Sequence, residues 1–231
     1  MKYNIGNLGY LELLEKFGDE LTIVNAARVS FGNEKSELDD ADRKLIKYLY
    51  KNKHMSPFRH VMFRFKIKAP EFVMRQLYKH IVGIETTSTY NTQLHSWNEI
   101  SMRYVEMDEY YVPDEWRNQS KSNKQGSEGV HVNNEEIKEE YNNVLTTIQE
   151  SYKKLIDMNV CKEQVRMLLP LSTYTTVVWT CSLQALFNFI ELRDHAHSQK
   201  EIRDYAQAMV TILKESMPTT FDIWFNVNSM V

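Results

Sequence analysis

The 231-residue chain has no run approaching the roughly 20 consecutive apolar residues that a membrane-spanning helix requires, and its opening, MKYNIGNLGY, lacks the apolar stretch of a secretory signal. Both absences lead us to expect a cytoplasmic protein with no membrane partner. Cysteine is scarce. Cys161 and Cys181 cannot build a disulfide framework, and no Cys/His spacing resembles a zinc site, so we expect reduced, buried thiols and no metal. Excess positive charge is missing too: the formal net charge is -3. A protein built around a long nucleic-acid backbone relies on Lys and Arg to displace counterions, so no stable nucleic-acid complex is expected and any anion site must be local. No internal repeat is visible.

What is present has the balance of a soluble globular protein, with 42% hydrophobic and 26% charged residues. We read residues 1–231 as a single domain. Leu45, Ile46, Leu49 and Tyr50 recur at helical spacing over Asp40 to Lys51, with Asp39 or Asp40 as the cap. From His60 to Lys68 the text alternates, Val61, Phe63, Phe65 and Ile67 on one face against Met62, Arg64, Lys66 and Lys68 on the other, which predicts a half-buried strand. Pro70 then opens a helix to Ile81 that places Phe72, Gln76 and Lys79 on roughly one side.

Gly83 to Leu94 is polar and β-branched and reads as a loop or a short hairpin, while Arg117 to Asn134 is of low complexity and reads as a solvated loop. Both are treated as loop insertions, at about 83–94 and 117–134. Ile137, Tyr141, Val144, Ile148, Tyr152, Leu155 and Ile156 then predict a long amphipathic helix. A short helix follows over Lys162 to Leu169, ended by Pro170. Thr173 to Cys181 is a strand or a buried helix start; periodicity does not separate them. Ser182 caps a helix through Arg193, and Gln199 to Met217 makes another.

The segment SWNEISMRY, Ser96 to Tyr104, carries the chemistry. If it is extended, Glu99, Ser101 and Arg103 share one face and Ile100, Met102 and Tyr104 the other. Arg103 offers a planar fork suited to phosphate, Ser101 a hydroxyl and Glu99 an acceptor, the groups that a nucleotide needs. The plainer reading is an exposed strand with a Glu/Arg pair of little energetic weight.

SxNExSxRY resembles the latter part of the signature of the flavin-dependent thymidylate synthases. NAARVSFG (Asn25 to Gly32), HMSPF (His54 to Phe58), APEFVMRQLYKH (Ala69 to His80), VRMLLPLSTYT (Val165 to Thr175) and NFIELRDHAHSQKEI (Asn188 to Ile202) also resemble blocks of that family, in the family's order. The resemblance implies an α+β fold of the thymidylate-synthase-complementing-protein type, with a central, mostly antiparallel sheet and flanking helices. It implies a single catalytic domain that reductively methylates dUMP to dTMP. Methylenetetrahydrofolate would supply the carbon and NADPH-reduced FAD the hydride. It further implies a homotetramer with active sites at subunit interfaces.

Carried over residue by residue, the resemblance assigns Gln76, Lys79, Glu99, Ser101, Arg103, Arg166 and Arg193 to dUMP, with Arg193 polarising the uracil and hence catalytic. It assigns Ser30, Ser56, Lys79, His80, Asn98, Glu99, Asn188 and Leu192 to FAD, and makes His54, Ser96 and His197 neighbours of the flavin or folate. No thiolate attack is expected, since neither cysteine has the neighbouring proline of ordinary thymidylate synthases. Where the usual signature opens with Arg-His-Arg, this chain has Lys79, His80 and Ile81, followed by an insertion before Ser96. Arg59 stands where the family usually has an acidic residue, and Ser182 and Gln184 where asparagine and arginine are common. A lysine keeps the charge and loses the bidentate fork. Thr86, Thr87, Ser88, Tyr90 or His95 of the insertion would then bring polar groups into the site.

Two alternatives are weighed. One is a relative acting on another pyrimidine deoxynucleotide. The other is a nucleic-acid-binding module, suggested by Arg59, His60, Arg64, Lys66, Lys68, Arg75 and Lys79 in one short region.

Overall fold

The structure, a computed structural model, describes residues 1–80 and 96–229. Alternation over Val61 to Ile67 dictates a strand because successive side chains of an extended chain take opposite faces. That strand, β3 (Met62–Pro70), follows an N-terminal hairpin of β1 (Lys2–Ile5) and β2 (Gly9–Phe17). Together with β4 (Trp97–Glu99) and β7 (Tyr174–Ser182) they form one antiparallel sheet in the order β1-β2-β3-β7-β4. Thr173–Cys181 is therefore resolved as a strand, its β-branched residues standing on a pleat rather than crowding a helical turn.

The register places Phe63 opposite Cys181, Phe65 opposite Trp179 and Ile67 opposite Val177, and these side chains are buried. Phe65 and Trp179 stack at 6.2 Å, and Trp179 also meets Phe189 edge to face. Each large apolar side chain removed from water in this way contributes about 1.5–3 kcal/mol. At Gly9 an added Cβ would come within 2.4 Å of the Tyr205 hydroxyl, which donates to the Lys68 carbonyl at 2.7 Å. Only glycine lets the helix carrying Tyr205 approach β2 and β3 so closely.

Helices cover the apolar face. They are α1 (Glu20–Arg28), α2 (Asp40–Lys51), α3 (Glu71–Leu77), α6 (Leu183–Arg193), α7 (Lys200–Ser216) and α8 (Pro218–Asn228). Asp39 caps α2 through the Asp42 amide, and Ser182 caps α6 through the Ala185 amide at 3.2 Å. Away from this layer run a two-stranded hairpin of β5 (Arg117–Gln119) and β6 (Ser127–Val130), the 24-residue α4 (Asn134–Asp157) and the short α5 (Lys162–Val165). The α+β expectation is met.

Several expectations need correction. Arg117 to Asn134 is a hairpin rather than a loop, because Asn118, Gln119 and Asn123 satisfy backbone groups that composition alone leaves to water. The helix after Pro70 starts at Glu71 and stops at Leu77; Pro70 still pairs with Tyr174 in the sheet. Cys161 is exposed, and only Cys181 is buried. The expected loop over Gly83–Leu94, with Ile81, Thr86, Thr87, Ser88, Tyr90 and His95, lies outside the described residues. β1, β2, α1 and α8 were not anticipated. Among the described residues no helix is long and apolar enough to cross a membrane.

Candidate active site

Extension of SWNEISMRY holds only for Trp97–Glu99, which is β4; Ile100 leaves the strand, and Ser101 to Tyr104 form a turn closed by the Tyr104 and Val105 amides on the Ser101 carbonyl. Alternation therefore does not align Glu99 with Ser101 and Arg103. Tyr104, expected on a buried face, is 72% exposed. No Glu99–Arg103 ion pair forms either. Arg103 lies 5.4 Å from the centroid of the Tyr104 ring, and the Ser101 hydroxyl accepts from the Arg103 amide at 3.4 Å.

What aims Glu99 is the register of β4 on β7. Trp97 faces Trp179 and Glu99 faces Val177, so both side chains join the face covered by helices, whereas exposed Asn98 takes the opposite face. The Thr175 hydroxyl donates to Glu99 Oε1 at 2.8 Å and the Trp97 indole to Oε2 at 3.3 Å, so both oxygens are oriented. Tyr78 meets Trp97 edge to face at 5.3 Å, joining the end of α3 to β4. Between them lies a cavity of about 430 Å³ lined by Glu71, Met74, Arg75, Tyr78, Lys79, Trp97 and Glu99. Lys79 and Glu99 are thus brought together as the resemblance implied. Glu71, Arg75, Tyr78 and Trp97 were not anticipated there, although Arg75 four residues before Lys79 was a readable signal.

Lys79 does not share a side with Gln76 and Phe72, because the helix has ended by then. Gln76 instead donates to Gln199 at the start of α7 at 2.7 Å, and Phe72 packs on Tyr111. Arg193, the last residue of α6, donates from Nε to His80 Nε2 at 2.9 Å. His80 is 6% exposed and lies edge-on to Phe189. Burial, with the Arg193 charge adding to it, lowers its pKa to about 4, so near neutrality its Nε2 is free to accept. Arg166, in a short 3-10 turn after α5, donates to the Glu163 carbonyl at 3.2 Å. Four residues earlier Lys162 reaches the Tyr104 carbonyl at 3.4 Å and Glu106 at 3.1 Å, which ties the Ser101–Tyr104 turn to the Arg166 segment.

Arg75, Lys79, Arg103, Arg166 and Arg193 form no ion pair among the described residues. Three other members of the basic cluster that suggested nucleic-acid binding are engaged. Arg64 pairs with Glu15 at 2.8 Å, Lys68 pairs with Glu109 at 2.6 Å, and Arg59 donates to Gln184 at 2.5 Å. Arg59 and Gln184, two departures from the family pattern, therefore contact each other.

Of the residues assigned to flavin, Ser30, Ser56, Asn188 and Leu192 do not line the Lys79–Glu99 cavity. Ser56 opens the 3-10 turn Ser56–His60, against which both α1 and α6 pack; Ser30 follows α1, and Asn188 and Leu192 stand one turn apart on α6. Ser30 and Ser56 are exposed, Asn188 is half-buried and Leu192 is 55% exposed. Two hydroxyls, an amide and an open leucine fit the ring edge and polyol of a flavin, which need neutral hydrogen-bonding groups beside apolar surface. His54 is exposed and edge-on to Tyr48, Ser96 accepts from the Thr180 amide through its carbonyl, and exposed His197 faces His195 at 5.0 Å.

Residues 12–219 match the family described as thymidylate synthase complementing protein. Proteins named flavin-dependent thymidylate synthase are similar throughout. That of Thermosipho africanus is 38% identical over 96% of this chain and 93% of its own. That of Kosmotoga olearia is 37% identical over 98% and 94%, and that of Thermus thermophilus 39% over 91% and 73%. Among solved structures, a UMP/dUMP methylase, PolB of Streptomyces cacaoi, bound with 5-Br dUMP, superposes with a TM-score of 0.82 at 30% identity, covering 97% of both chains. With its fold and nearly its whole length in agreement, the chain belongs to the flavin-dependent thymidylate synthase family.

Proposed function

We propose that the protein methylates the uracil ring of dUMP to give dTMP, using FAD, methylenetetrahydrofolate as carbon donor and NADPH as reductant. The observation that carries this reading is the cavity in which Arg75 and Lys79, which form no ion pair among the described residues, sit with an oriented Glu99. Both cations are exposed, so each is open to an arriving phosphate, to which it can form charge-assisted hydrogen bonds. When bound, reduced FAD supplies a hydride; the chain's own residues bind, orient and polarise.

In this reading Lys79, with Arg103 and Arg166, holds the phosphate, Ser101 and Gln76 take polar edges, and Glu99 accepts from the nucleotide. Arg193 stabilises negative charge developing on the ring, and His80 keeps that guanidinium in place from behind. Ser30, Ser56, Asn188 and Leu192 contact the flavin, with Asn98 reaching it from the opposite face of β4; His54, Ser96 and His197 border the folate. A homotetramer with active sites shared between subunits accords with the uneven burial of α4. Leu145 and Tyr152 are buried, Ile137, Tyr141, Ile148, Leu155 and Ile156 are half-buried and Val144 stays 47% exposed, so part of its apolar stripe remains open to another copy.

The absorption spectrum of the purified protein tests the reading, followed by bleaching with NADPH and tritium release from 5-labelled dUMP. A colourless protein that takes up no FAD and binds oligonucleotides would overturn it. A second nucleotide is favoured by the solved methylase, which is described for UMP as well as dUMP and was also obtained with 5-Br UMP, at a TM-score of 0.79. Assays with dUMP, UMP and dCMP in parallel decide whether base or sugar selection is relaxed.

A further inference from the structure

Glu71 is a carboxylic acid of the Lys79–Glu99 cavity to which the proposed chemistry gives no role. It is the first residue of α3, its amide donates to the Thr173 carbonyl at 2.9 Å, and its half-buried carboxyl lines the same cavity wall as Arg75 and Lys79. Glu99, opposite on β4, has both oxygens engaged by Thr175 and Trp97, so it stays an acceptor and a fixed negative charge. Two carboxyls and two cations therefore share one small space. If Glu71 is ionised, the cavity is formally neutral. If it is protonated, one positive charge is in excess, which suits a phosphate.

Resting on the dUMP reading of this site, we propose that Glu71 is a nucleotide-positioning residue whose carboxylate takes up a proton from solvent when the phosphate enters beside Lys79 and Arg75. Burial and then the charge of Glu99 raise the Glu71 pKa to about 7, against a smaller opposing pull from Arg75, so the carboxyl is divided between its two forms at neutral pH. An arriving phosphate dianion raises it further by the same like-charge repulsion.

Of the other charged groups on elements packed against α3, Lys66 of β3 forms no ion pair among the described residues, whereas the following are engaged. On β3, Lys68 pairs with Glu109 at 2.6 Å; on α7, Glu201 pairs with Arg117 at 2.7 Å, Lys200 pairs with Asp204 at 2.7 Å, and Arg203 donates to the Ala196 carbonyl at 3.3 Å. β7 carries no charged residue. Glu71 is thus the group with both the location and the freedom to respond.

Calorimetric titration of the FAD-loaded protein with dUMP, in buffers of differing ionisation enthalpy at pH 8, reads the proton directly. At that pH the nucleotide phosphate, whose second pKa lies near 6, is already a dianion, so uptake belongs to the protein. We expect uptake of a fraction of one proton by the unaltered protein, and none by Glu71→Gln, whose amide is permanently neutral. The Kd for dUMP should weaken up to about tenfold from pH 6.5 to 8.5 in the unaltered protein beyond any change seen in the variant, the amount set by a one-unit pKa rise on binding. Failure of the FAD-loaded protein to bind dUMP at all would overturn the reading of the site. Tight binding without proton uptake, or the same uptake in Glu71→Gln, would overturn the role of Glu71 alone. Should Glu71→Gln fail to fold, the unaltered protein at pH 8 still decides the matter, since absence of uptake refutes the proposal.

Discussion

The cavity between α3 and β4 and the face formed by the Ser56–His60 turn with α6 are built on different principles. The first concentrates charge: cations without ion-pair partners among the described residues, beside a glutamate held by two hydrogen bonds, in an open pocket. The second is also open, and the residues assigned there to the cofactor are neutral, with Ser30, Ser56 and Leu192 exposed. A charged ligand is recognised by groups of opposite charge, so its site can be read from a cluster of cations that no carboxylate of the described residues engages. A large flat cofactor is recognised by shape and neutral hydrogen bonds, which cost little to leave in water. The contrast also locates the chain's departures from its family, since Lys79 lies on the first surface and the Arg59–Gln184 contact packs the turn carrying Ser56 onto α6.

The comparison can be broken most sharply at Arg193, the link between the two surfaces through α6. Arg193→Ala should lower turnover at least about 100-fold while FAD still loads, as expected when a group stabilising developing charge is removed. Equal loss of flavin and activity would place Arg193 on the cofactor side instead.

A second effect comes from His80 behind it. Because its pKa is depressed in the fold, its contribution to stability is complete above the ordinary value of 6.5 and is lost as pH falls toward 4. Melting curves should show an acid loss on the order of 2 kcal/mol that is absent in His80→Gln, which can still accept from Arg193 without titrating. Parallel acid profiles for the two proteins would contradict the burial argument.

Lys79→Ala should weaken dUMP binding by about tenfold with FAD affinity unchanged, whereas Lys79→Arg should restore the bidentate fork and tighten it. Asn188→Ala should do the reverse, weakening FAD binding by about five-fold, the value of one neutral hydrogen bond, without altering dUMP binding. Smallest of all, Arg59→Ala should change stability by no more than about 0.5 kcal/mol, because Arg59 is exposed and its partner is neutral.

How legible the molecule was depends on how far each feature is local. The α2 helix, β3, the long α4, the Ser182 cap and α7 were readable because periodicity and capping are properties of neighbouring residues. β1 and β2 were not, because β1 is only four residues long and the alternation of GYLELLEKF breaks at Leu13 and Leu14, where its pairing with β3 shifts register. The Arg117–Asn134 hairpin escaped because its order comes from side chains such as Asn118 and Gln119 bonding across the turn. At the site, Lys79 and Glu99 were named in advance, whereas Glu71, Tyr78, Trp97 and Thr175 were missed, since nothing in a linear text sets residue 175 against residue 99.

The sequence by itself determined the family, the residue types of the site and most of the helices, since each is written in contiguous blocks such as SWNEISMRY and APEFVMRQLYKH. Tertiary structure alone decided the direction in which those residues act. The register of β4 on β7 turns Glu99 toward α3 and leaves Asn98 on the other side. The early end of α3 separates Lys79 from Gln76, and the packing of α6 places Arg193 on a buried His80. The physical reason is that side-chain facing in a three-residue edge strand or a seven-residue helix is set by the partner it packs against, because such elements are too short to fix it themselves.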